Sequence, residues 1–207
     1  MRTPIVLAVL VGATVAHGST ELSQQVQNVL TTIDAVPTVV QLDTIAFTDH
    51  ADALTGLSTI ASDVDSDIGV RLRAVHALAK YCAGTQCLDG DLAHQTLVSV
   101  INNCANGGGA GCSAAPHDDA GTAIVILRSA VEALGPQRVG TDVTLLESLL
   151  QHPSRDVRAA TVHALRDLCN TQAIGALRTQ QQNETTDQVR QAITEALRIL
   201  GQPQPCQ

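Results

Sequence analysis

The chain writes one segment twice. VRLRAVHALAKYC at Val70–Cys82 returns as VRAATVHALRDLC at Val157–Cys169, sharing the Val-Arg opening, the Val-His-Ala-Leu centre and the final cysteine. In the later copy Val157, Ala160, Ala164, Leu165 and Leu168 recur at spacings that keep one helical face apolar. The same template fits Val70, Ala74, Ala77, Leu78 and Tyr81, and again Val189, Ala192, Ile193, Ala196, Leu197 and Leu200 in VRQAITEALRILG. A fainter copy, AIVILRSAVEALG, sets Ala133-Leu134 where the others carry Ala164-Leu165 and Ala196-Leu197, at intervals of 31 and then 32 residues. A constant period of this length belongs to a stack of helical units, each burying its apolar face against the next.

Each later copy follows a second apolar helix. TDVTLLESLLQ supplies Leu145, Leu146, Leu149 and Leu150, with Thr141 or Asp142 as its expected N-cap. Pro153 then breaks the chain, since it cannot continue a helix and disfavours helical geometry at His152. TQAIGALRTQQQ stands in the same relation to the last copy, across the polar turn NETTD. Upstream, ELSQQVQNVLTTIDAV, HADALTGLSTIAS and DLAHQTLVSVINN read as helices, whereas PTVVQL is ambiguous between helix and strand. The fold class expected is all-α.

Compartment is read from the start of the chain. One early cation, Arg2, precedes an apolar run from Ile5 to Val15 and the small residues Ala16 and Gly18. That is the pattern of a secretory signal peptide over residues 1–18, cleaved near Gly18. The run is too short to span a bilayer, and no later run reaches roughly 18 apolar residues, so the expected mature chain is exported and not membrane-inserted. A net charge of -8 argues against nucleic acid, which requires clustered Lys and Arg. With only Phe47, Tyr81 and no tryptophan, aromatic platforms for sugars or bases are missing.

Six cysteines in an exported chain point to disulfides. Spacing favours Cys82 with Cys87 and Cys104 with Cys112, leaving Cys169 to tie a helix to the tail through Cys206. Paired CxxC or neighbouring Cys/His ligands for zinc do not occur.

The run Leu-Leu…Pro-x-x-Asp-Val-Arg-x-Ala…Ala-Leu, best in LLQHPSRDVRAATVHALRDL and good in TTDQVRQAITEALRILG, resembles HEAT repeats of the short bacterial kind. The resemblance covers about 61–201 and weakens where Gly69 is inserted ahead of Val70-Arg71 and where the copy ending at Gly135 lacks Val-Arg. It implies a right-handed α-solenoid of stacked antiparallel helix pairs. Residues 19–60 would form an N-terminal helical segment or divergent capping repeat, and 61–207 the repeat domain, with a Gly-rich disulfide loop at 104–122. It further implies that the pairs Asp67 with Arg71, Asp156 with Arg158, and Asp187 with Arg190 link adjacent repeats. The chemistry suits that job, because aspartate caps helix starts and the arginine fork bridges carboxylates or carbonyls.

For function, the family implies a monomeric, non-catalytic scaffold that binds another protein and needs no cofactor. Two alternatives remain: a lyase-like accessory enzyme, as in some HEAT-like proteins, or a calcium- or metal-stabilised module. The latter would draw on Asp118, Asp119 and the DVDSD run at Asp63–Asp67, although the glycine and closing glutamate of a calcium loop are out of place. No GxSxG, HExxH or recognisable Cys/His arrangement is present. The equivalent residues His76 and His163 have no recurring carboxylate partner and read as packing or surface residues. In the Gly-rich loop, His117, Asp118 and Asp119 are the candidate partner contacts; NET at Asn183 is a formal glycosylation sequon with no role expected in a bacterial chain.

Overall fold

The structure, a computed structural model, describes residues 24–31, 37–46, 50–81, 90–105, 120–203 and the single residues Cys112 and Cys206. The leader expected at 1–18, and Cys82, Cys87, His117, Asp118 and Asp119, lie outside the described residues. The helices are α1 (24–30), α2 (Val39–Ala46), α3 (His50–Ser62), α4 (Ile68–Tyr81), α5 (Gly90–Cys104) and α6 (Ala120–Leu134). They continue as α7 (Val143–Leu149), α8 (Arg155–Leu168), α9 (Ala173–Asn183) and α10 (Asp187–Leu200). No strand occurs among the described residues.

The packing is that of an α-solenoid. Helices pair as α3 with α4, α5 with α6, α7 with α8 and α9 with α10. The second members then stack in a row, α4 on α6, α6 on α8 and α8 on α10, while α3 packs on α5 and α7 on α9. One array therefore has two layers, and the repeated apolar stripes lie between them and between neighbours. Val157, Ala160, Ala164, Leu165 and Leu168 are all buried, as are Val70, Ala74, Ala77, Leu78 and Tyr81. Because α3 already pairs with α4, the boundary expected at residue 60 falls inside a helix, and α2 packs on both α3 and α4 upstream.

The ambiguous PTVVQL run is helical for a local reason. The Gln41 N–H donates to Thr38 Oγ1, and the Thr38 N–H donates back to Gln41 Oε1, a reciprocal capping box at the start of α2. Neither Thr141 nor Asp142 caps α7 through its side chain. Both lie in a 3-10 turn, Gly140–Asp142, and the buried Asp142 carboxylate instead meets His94 Nε2, with both oxygens at 3.0 Å. That contact joins α5 to the start of α7.

Small residues let the row close up. At Gly135, just beyond α6, an added Cβ would lie 2.6 Å from the Ala164 Cα and 2.8 Å from its carbonyl oxygen in α8. Backbone cannot swing aside as a side chain can, so Gly135→Ala must push α6 from α8. The expected loss is about 1–3 kcal/mol, read by urea unfolding. Gly175→Ala is the control: an added Cβ there meets nothing within 4 Å on the exposed side of α9, so the change should be neutral or gain up to about 1 kcal/mol.

Candidate functional site

Two of the three Val-Arg copies place their arginines in the same structural role. Arg71, buried in α4, donates from Nη2 to the Ala61 carbonyl of its own first helix at 3.4 Å. Its Nη1 crosses to the next unit and donates to the Cys112 carbonyl at 2.6 Å. Arg158 in α8 donates from Nη1 to the His152 carbonyl of its own turn at 2.9 Å. Its Nε and Nη2 then reach the Glu184 carboxylate of the next unit, each at 2.8 Å. One guanidinium thus ties its own unit to the segment after the first helix of the next, using several donors of one planar fork.

The aspartates expected to share this work do not. Asp67 Oδ1 accepts the backbone N–H groups of Gly69 at 2.9 Å and Val70 at 3.2 Å, capping its own helix α4. Asp156 sits 3.5 Å from Arg155 on the same helix and adds a longer-range attraction to Arg128 of α6. Asp187 pairs with Arg190 within the exposed first turn of α10, so this pair joins no repeats. The reason is positional: among the described residues no helix pair follows α10, so no further turn is presented for Arg190 to grip.

Glu184, absent from the sequence-based candidates, is the centre of the best-developed polar network. Its side chain is 1% exposed, against 14% for Arg158. Gln180 Nε2 donates to the same carboxylate at 2.9 Å, the Thr186 N–H donates at 2.9 Å, and Gln151 donates to Gln180 from the end of α7. The network therefore joins α7, α8 and α9. Counted back from Val189 and Val157, Glu184 and His152 hold the same repeat position, both buried in the turn. That equivalence was the available signal.

Electrostatics fix the pH response. Hydrogen bonding to Arg158 holds the Glu184 carboxyl down at about 2 against the opposing effect of burial, with Thr186 and Gln180 assisting. Burial, then the Arg158 cation, lowers the His152 imidazole below its usual value. Both groups therefore bind protons more weakly folded than unfolded, so acidification destabilises the fold. The loss begins below about pH 6.5 with His152 and deepens between about 4.5 and 2 with Glu184, whose share is about 3 kcal/mol. Urea midpoints across pH 3–7 should fall toward acid, and Glu184→Gln should flatten the acid limb.

Two of the expected cystines are formed, Cys104–Cys112 and Cys169–Cys206. The first fixes the loop whose Cys112 carbonyl receives Arg71, so the bridge performs for the early clamp what Glu184 performs for the later one. His76 and His163 are both exposed. The DVDSD carboxylates serve their turn: Asp63 accepts from the Asp65 N–H at 3.1 Å and the Ser66 hydroxyl at 2.7 Å. Among the described residues, no group of three or more His, Cys, Asp or Glu could hold a metal, and no helix is long and apolar enough to cross a membrane.

A stack of helical pairs joined by arginine clamps defines an α-solenoid built of repeats. The family model for HEAT repeats matches residues 122–203, so this span carries the HEAT-repeat pattern. The pairs α3–α4 and α5–α6 continue the same stacking upstream, mostly outside the matched span. No curated protein and no solved structure gives a significant match to the chain.

Proposed function

We propose that this chain is a non-catalytic, monomeric scaffold, exported after cleavage near Gly18, which binds another protein through its solenoid surface. HEAT repeats typically mediate protein–protein interaction. The observation that carries the reading is the continuous row α4–α6–α8–α10. Its polar face is built from charge pairs such as Arg128–Glu132 and Glu195–Arg198 rather than from a catalytic constellation. Such a row offers a long surface at no cost in cofactor or metal. Export is supported by the leader pattern and by the two cystines, which persist in oxidising compartments.

The test is site-specific photo-crosslinking in the native cell. Probes replace exposed His163 in α8 and Val125 in α6, with exposed Thr144 in α7 and Arg178 in α9 reporting on the other layer. One protein crosslinked reproducibly from one layer, with the mature chain beginning after Gly18 outside the cytoplasm, is the expected result. Full-length chain retained in the cytoplasm overturns the export reading. The absence of any crosslinked protein from either layer overturns the scaffold reading.

A further inference from the structure

The two described cystines occupy opposite environments. Cys104 and Cys112 are 2% and 0% exposed, and the Cys112 carbonyl lies under the Arg71 guanidinium. Cys169 and Cys206 are only partly buried and line an open cleft of ≈ 280 Å³ beside Arg138, Arg166, Asp167 and Ile199. Both of these cysteines are in the left-handed backbone region, with φ 60° at Cys169 and φ 69° at Cys206. That conformation suits glycine at a helix end and is unfavourable for a residue with a Cβ. Two strained residues are therefore held by one accessible bond in a cleft also lined by Arg138 and by the Arg166–Asp167 pair.

We propose that Cys169–Cys206 is a thiol–disulfide exchange site whose reactant is a dithiol entering this cleft, while Cys104–Cys112 is a fixed structural bond. A thiolate of the dithiol attacks Cys169 Sγ in line with the S–S bond, which breaks with its electron pair leaving on Cys206 Sγ. Cys206 is the leaving sulfur, since Cys169 is anchored at the end of α8 and Cys206 lies on the tail beyond α10. The Cys206 sulfur already lies 3.7 Å from the Arg166 carbonyl, so once protonated it has an acceptor in place. The reactant's second thiolate then attacks its own sulfur in the mixed disulfide and releases Cys169, which takes the second proton. The dithiol is oxidised to a disulfide, and the cystine is reduced to two thiols. Arg138, which makes no side-chain hydrogen bond or ion pair among the described residues, attracts the incoming thiolate. Both cysteines gain freedom to leave the left-handed region, and the tail detaches from α8.

The test uses the full oxidised chain under native conditions with dithiothreitol as probe. Aliquots are alkylated and mapped by mass spectrometry while helicity is followed. The expected result is opening of Cys169–Cys206 at least about tenfold faster than Cys104–Cys112, with helicity retained. Equal rates, faster opening of Cys104–Cys112, or helicity lost before alkylation would each overturn the proposal. Arg138→Asn, which keeps a residue tolerant of the left-handed region, should slow opening by about two- to fivefold in low salt and not in high salt. A rate unchanged in both salts removes Arg138 from the site.

Discussion

Arg158→Ala is expected to cost about 3–5 kcal/mol of folding stability, while Arg190→Ala, its counterpart one repeat later, should stay within about 0.5 kcal/mol. The asymmetry follows from what each guanidinium touches. Removing Arg158 leaves the Glu184 carboxylate, 1% exposed, without its cation, and strips the His152 and Pro153 carbonyls of a donor. Arg190 loses only an exposed pair within its own helix, with side chains 50% and 89% exposed for Arg190 and Asp187. Urea unfolding followed by circular dichroism checks both. A double-mutant cycle with Glu184→Gln should show that Arg158→Ala costs far less once the buried charge is gone, by about 1–3 kcal/mol. The penalty is one of orphaning a charge, so it does not measure the pair's net worth, and a well-packed apolar replacement of both partners could be nearly neutral. The value of the clamp lies elsewhere: it fixes how one loop sits over the next, and so the register of the stack. Equal losses for Arg158→Ala and Arg190→Ala would show that the clamp does not hold that register.

The architecture was legible because its signal is redundant. The Ala-Leu pairs at 31- and 32-residue spacing, the Val-Arg openings and Pro153 all point to the same stacked pairs, and the packing of α6, α8 and α10 follows them. The cystine Cys104–Cys112 was legible from its spacing, and Cys169–Cys206 as the pair that local pairing leaves over. Polar partnerships were not. Asp156 stands beside Arg158 in sequence, and family resemblance favours that pairing, yet successive helix positions point to different sides and the fork reaches 26 residues onward to Glu184. Likewise His94 and Asp142, 48 residues apart, belong to different units and meet only because α5 and α7 stack. A capping reading of Asp142 failed against that longer-range partner. The capping box of Thr38 and Gln41, by contrast, is local and was present in the residues all along. Local chemistry and repeated patterns are written in the sequence, whereas contacts between units need the stack itself.

Position in the stack should also decide how much a core leucine matters. Leu165 and Leu197 follow the same alanine in equivalent copies, but Leu165 is 0% exposed between α6 and α10, whereas Leu197 is only partly buried. Leu165→Ala removes methyl groups enclosed on both sides by neighbouring helices of the row, and backbone contacts such as Gly135 on Ala164 restrict how far the helices can close over the void. The expected loss is about 3–5 kcal/mol, the upper range for a leucine truncated in a site that cannot collapse. Leu197 is partly buried, with no helix following α10 among the described residues, so less apolar area is lost from burial. Leu197→Ala should cost about half as much. In a repeat array each unit's stability is its own plus that of its interfaces, and among the described residues the α8 copy has two row neighbours, α6 and α10, where the α10 copy has one. Urea unfolding should therefore show Leu165→Ala splitting the transition as the units on either side uncouple, and Leu197→Ala moving it with little change in steepness. Equal losses at the two sites would mean that the tail held by Cys169–Cys206 covers α10 as fully as α10 covers α8.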